Sequence, residues 1–144
     1  MPTSQNVTFT GSAPADTQFD HPPGAAIARL LEDALKARGW RIEGFDNWRD
    51  CGWSLDCASG DAKLLIAVAE ATLPQWMLQI GPLEMPGPIG RLFGKRQSAM
   101  PADVLRLAQA VDEILKGDGR YSEFHWCWDG FPESGPSSPE PPSK

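Results

Sequence analysis

Side chains able to do chemistry gather at three places in this chain. Asp46-Asn47-Trp48-Arg49-Asp50-Cys51 sets two carboxylates, an amide, an indole and a guanidinium within six consecutive positions. Paired carboxylates suit acid–base work only in a cleft that splits their pKa values. Trp48 beside Arg49 is the pairing of residue types that anchors protein interfaces. Turn formation accounts for the same composition, because Asp and Asn hydrogen-bond neighbouring backbone and Arg49 can pair with Asp46 or Asp50. His125 and Cys127 form the second place and suggest a nucleophile with its base. Two residues apart on one strand, they are separated by about 6.6 Å along the chain, beyond the hydrogen-bond reach such a pair needs. The third place is the stretch 81–98, where Arg91, Lys95 and Arg96 flank Leu92-Phe93 in an otherwise acidic chain.

Residues 90–96, Gly-Arg-Leu-Phe-Gly-Lys-Arg, do not make a phosphate loop. The glycine spacing is one residue short, and the hydroxyl residue after the lysine is missing. A structureless connection this long points to function or disorder. Two uses of it follow: docking an acidic partner, or tucking Leu92 and Phe93 under a following helix. Cys51, Cys57, Cys127 and His125 show no zinc-ligand spacing, so neither a metal nor a cofactor is expected.

The elements that must position these residues are legible from periodicity. Ile27, Leu30, Leu31, Ala34 and Leu35 mark one helix, with Gly39 at its C-terminus. Val104, Leu107, Ala108, Val111, Ile114 and Leu115 mark a second, from Pro101 to Gly117. Strands are expected from Trp40, over 51–57, 62–69, 75–80 and 121–128. A Ser59-Gly60 turn would set Leu55 opposite Leu64, Trp53 opposite Ile66 and Asp56 opposite Lys63. Pairing Ala69 with Gln75 would set Val68 against Trp76. One sheet face then carries Trp53, Leu55, Leu64, Ile66, Val68, Trp76, Leu78 and Ile80, with Trp40 and Ile42 at its side. Phe124, Trp126 and Trp128 share a face of the last strand. The other sheet face shows Leu65, Ala67, Ala69 and Met77 inside a polar rim, a patch able to stack a homodimer.

The expected architecture is α+β, an antiparallel sheet of about five strands with two helices on one face, in the order α-β-β-β-β-α-β. That order loosely resembles small secretion chaperones and bacterial immunity proteins; no residue motif accompanies it, and no family follows. Residues 1–23 and 132–144 read as disordered tails around a domain at 24–131, the second rich in proline and serine.

The chain has 144 residues, 41% hydrophobic and 22% charged, with six tryptophans and a net charge of −6. An acidic balance argues against nucleic acid, where basic patches are expected. No apolar run is long enough to span a membrane, and residues 1–6 lack the pattern of a signal peptide. Three cysteines, an odd number, fit a reducing compartment, so the expected location is cytoplasmic. The functional expectation is a non-enzymatic module that binds another protein or itself. Its candidate contacts are Trp48, Arg49, Leu65, Met77, Arg91, Leu92, Phe93, Lys95 and Arg96. The alternative is a small enzyme built on Asp46, Arg49 and Asp50 or on His125 and Cys127.

Overall fold

The fold is seen in a computed structural model that describes residues 3–12, 22–72, 74–84, 87–94, 97–131 and 136–143. Near the N-terminus, Val7 and Phe9 alternate with Asn6, Thr8 and Thr10, a period-2 pattern rich in β-branched residues. They form strand β1 (Gln5–Gly11), which lies inside the sheet. The reading of residues 1–23 as a tail is therefore corrected at β1. Its two core side chains are too few to betray a strand against their polar neighbours.

Helix α1 (Ala25–Ala37) follows, then β2 (Arg41–Trp48), β3 (Gly52–Ser59), β4 (Ala62–Glu70) and β5 (Gln75–Pro82). A short helix α2 (Pro88–Leu92) precedes α3 (Pro101–Asp118) and β6 (Tyr121–Trp128). The class is α+β, with an antiparallel sheet of six strands and three helices among the described residues. Sheet order is β2-β3-β4-β5-β1-β6, so β1 separates β5 from β6. The expected five strands and their order are corrected accordingly.

Every expected core residue of β3, β4 and β5 is buried, and α1 and α3 contribute Leu31, Leu35, Leu107 and Leu115 to the same cluster. The cross-strand partners are nevertheless displaced. Leu55 faces Ile66, Trp53 faces Val68, and Val68 faces Leu78. Asp56 faces Leu65, so the expected Asp56–Lys63 pair is absent, and Lys63 stands opposite Ala58. For the β3–β4 pair the cause lies in the turn. Ser59 pairs with Ala62, leaving Gly60-Asp61 as the two-residue loop, with Gly60 at φ +59°. A glycine takes that left-handed conformation without steric cost, which suits a tight hairpin. Moving the turn by one residue slides the register by two and leaves each side chain on its expected face. Helix α3 likewise runs one residue past Gly117 and ends at Gly119, φ +84°.

A bulge adapts β6 to its new neighbour. Thr8 pairs with His125 and Thr10 with Ser122, so Glu123 and Phe124 both lie across from Phe9. Glu123 takes up the extra residue at φ +58°. As a result Tyr121 and Phe124 both turn inward. Phe9 meets Tyr121 edge-on at 5.5 Å and stacks on Phe124 at 5.7 Å between ring centroids. Three of the tryptophans find partners for their N–H groups across the fold. Trp53 donates to the Pro22 carbonyl at 2.6 Å and Trp76 to the Gly11 carbonyl at 3.1 Å. Trp126 donates to Asp112 on α3 at 3.0 Å. Residues 136–143, read as part of a tail, pack beside β6, with Ser138 bridging Trp126.

Candidate functional site

Residues 46–48 end β2, and 49–51 form the hairpin turn into β3. Arg49 and Asp50 both take left-handed backbone, φ +54° and +58°. The Asn47 side-chain oxygen accepts the Asp50 amide at 2.8 Å, and Cys51 N–H reaches the Trp48 carbonyl at 3.1 Å. Arg49 lies over the Trp48 ring at 5.3 Å, a cation–π contact within the turn. Trp48 is half-buried, while Arg49 and Asp50 are exposed.

Strand pairing assembles an acidic group that the linear sequence does not announce. Asp46 stands opposite Ser54 and Gly44 opposite Asp56, so both carboxylates flank the bare Gly44 position on one face. A Cβ at Gly44 would come within 2.8 Å of Asp56 Oδ2. Burial, then the charges of Asp46 and Glu43, raise the Asp56 carboxyl above the ordinary carboxylate range. Glu43 also lies 4.0 Å from Lys63 Nζ, both exposed. Among the described residues no group of three potential ligands could hold a metal ion.

His125 and Cys127 each look elsewhere. His125 is exposed, with Nδ1 at 3.5 Å from Ser137 Oγ. The Cys127 thiol donates to the Gly130 carbonyl at 2.8 Å. The sheet face away from the helices carries Leu65 and Met77, both half-buried, and Ala67 and Ala69, both buried. Here β1 alters the expected patch. Thr8 stands directly opposite Met77, and Asn6 opposite Gln79, so hydroxyl and amide groups continue the face beyond Met77.

The described residues of the stretch 81–98 hold more structure than a plain loop. Ser98 staples its base: Ser98 Oγ accepts the Glu84 amide and donates to the Lys63 carbonyl, both at 2.8 Å. Ser98 N–H reaches Glu84 O at 3.0 Å, and Lys63 N–H reaches Ser98 O at 2.8 Å. Between these anchors Pro88 starts α2 at its first helical position and Gly94, φ +79°, follows its end. Proline at the start and glycine past the end are a helix signal legible in the sequence, masked here by the other prolines and glycines of the stretch.

Within α2 and its C-cap, Ile89, Leu92 and Phe93 stand at i, i+3 and i+4, one face of a helix. That face meets solvent. Ile89 is 74% exposed, Leu92 81% and Phe93 77%, with Arg91 exposed beside them. The alternative in which Leu92 and Phe93 tuck beneath the following helix is thereby corrected. Lys95 and Arg96, the other two cations of the cluster, lie outside the described residues, as does His21. No helix among the described residues is long and apolar enough to cross a membrane. Models of known protein families and curated protein sequences offer no match to this chain, so the site rests on its own geometry.

Proposed function

We propose that this protein is a binding module that docks the apolar face of α2 into a partner protein, a second copy of itself or another chain. One observation carries the reading: three large apolar side chains are about three-quarters exposed on one helical face held out by a stapled base. Water-exposed apolar groups in such a cluster mark interaction sites. Burying Ile89, Leu92 and Phe93 is worth roughly 4–7 kcal/mol before the costs of association, enough to anchor an interface that has further contacts. Arg91 favours acidic groups around the partner's pocket, as the notably acidic chain makes a nucleic-acid partner unfavourable. An odd number of cysteines, three, fits action in the reducing cytoplasm.

The open sheet face is the weaker surface for this purpose. Leu65 and Met77 are half-buried, and stacking that face would dehydrate Asp46 and Asp56, which already repel each other. The test is site-specific crosslinking in the full chain, with a photoreactive residue at Leu92 and the protein expressed in its native host. The expected result is one discrete adduct, lost in the Ile89→Asp/Phe93→Asp background while the thermal midpoint stays unchanged. A diffuse smear, or an adduct indifferent to those substitutions, would refute the assignment.

A further inference from the structure

Strand β6 is an outer strand of the sheet, and an outer strand offers unpaired amides and carbonyls to any extended chain. Here the chain's own C-terminal segment takes the position. Trp126 N–H donates to Ser138 O at 2.7 Å, and Ser138 N–H returns a bond to Trp126 O at 2.9 Å. Further bonds continue along the segment. Lys116 Nζ on α3 donates to the Pro139 carbonyl at 2.8 Å, and Gln5 Nε2 on β1 donates to the Pro142 carbonyl at 2.7 Å.

The bonds that the segment makes in this groove are lopsided. The groove presents three donors to the carbonyls of residues 138, 139 and 142, and one acceptor to a single amide. That is the complement of a proline-rich ligand, which keeps every carbonyl and loses most of its N–H groups. Every one of these bonds is to main chain, so the prolines need only the extended shape they adopt by themselves. Between the segment and β6 lies an open cavity of about 390 Å³, walled by Trp126, Trp128, Pro136 and Pro142. Aromatic walls against proline rings are the apolar half of proline-rich recognition. Trp128 also has its indole N–H buried with no acceptor among the described residues. It is a further donor for a ligand carbonyl.

We infer that the edge of β6, with Lys116 and Gln5, is a recognition groove for an extended proline-rich peptide of a partner protein, and that residues 136–143 occupy it as an internal competitor. The surface is separate from α2, so this inference stands or falls apart from the docking role given to that helix. A tethered segment competes at an effective concentration in the millimolar range, which weakens an outside peptide of comparable fit by roughly ten- to a hundredfold.

The experiment uses the full chain and a fluorescent synthetic peptide with the sequence of residues 136–143. Ser138→Pro removes the one amide that pairs with Trp126 and releases the internal segment, while the packing of the core stays intact. The variant should bind the peptide at least tenfold more tightly than the unaltered chain. Its Trp126 amide should exchange faster with solvent and regain protection when peptide is added. Adding Lys116→Ala to the released variant should cut peptide binding several-fold. No peptide binding by the released variant, or binding indifferent to Lys116→Ala, overturns the groove. Dimerisation of the unaltered chain that Ser138→Pro abolishes overturns the outside partner in favour of the tail of a second copy.

Discussion

Replacing Asp112 by Ala should destabilise the fold by about 3 kcal/mol, most of it through Trp126. Asp112 is 7% exposed on α3, and Trp126, fully buried on β6, donates its indole N–H to Oδ1 at 3.0 Å. A buried hydrogen bond to a charged group is worth roughly 1.5–3 kcal/mol, and deleting the acceptor strands the indole donor in the core. The Asp112–Lys116 pair, at 3.0 Å with Lys116 partly exposed, adds only a few tenths of a kcal/mol. For a chain of 144 residues the total lowers the thermal midpoint by about 10 °C. Far-UV circular dichroism in urea reads the change without relying on tryptophan fluorescence. Asp112→Asn keeps an acceptor oxygen and should cost about a third as much, and Lys116→Ala less than about 0.5 kcal/mol. A double-mutant cycle with Trp126→Phe should show coupling of roughly 1.5–2 kcal/mol. Equal losses for Asp112→Ala and Asp112→Asn, or coupling near zero, would refute the bond as the source of the stability.

Two further outcomes concern the titrating groups. The raised pKa of Asp56 means that the folded state binds its proton more readily than the unfolded chain does. Its carboxylate therefore weakens the fold at neutral pH, and that penalty fades as pH falls through the folded pKa. Asp56→Asn should raise the urea midpoint at pH 7, with the gain shrinking towards about pH 4; a loss at pH 7 would contradict the repulsion from Asp46 and Glu43. Burial, and secondarily Asp56, push the Cys57 thiol up to about 12, so its thiolate fraction at pH 8 is on the order of 10⁻⁴. Mass spectrometry after brief alkylation should find exposed Cys51 modified and Cys57 intact; comparable rates at the two sites would count against the buried position of Cys57.

The sheet shows how far pattern alone reaches. Alternation assigns Trp53, Leu55, Ile66 and Leu78 to the core face, because a strand's side chains change sides at every residue. The same rule is blind to a slide of two, which moves every partner and no face. Only the connections choose between those registers, the Gly60-Asp61 turn for β3 with β4 and the chain between Glu70 and Gln75 for β4 with β5. Tyr121 and Phe124 show the complementary failure. Their spacing in sequence puts them on opposite faces, and the bulge at Glu123 brings both inward against Phe9.

The candidate sites divide along the same line. Residue types told that 46–51 could be a turn and that 81–98 joined apolar side chains to cations, since turn propensity and composition are local properties. Exposure is not local. Whether Leu92 and Phe93 lie under a helix or in water depends on where Ser98 ties the stretch to Glu84 and Lys63. The acidic group around Gly44 and the bond from Trp126 to Asp112 arise from strand and helix neighbours far apart in the chain. So do the place of β1 between β5 and β6 and the seat of Ser138 on Trp126. Sequence by itself determined the helices α1 and α3, the faces of β3, β4 and β5 and the buried tryptophans Trp53 and Trp76, because periodicity encodes which side of an element avoids water. Tertiary structure alone decided partners and exposure, because both depend on contacts between segments that no local pattern records.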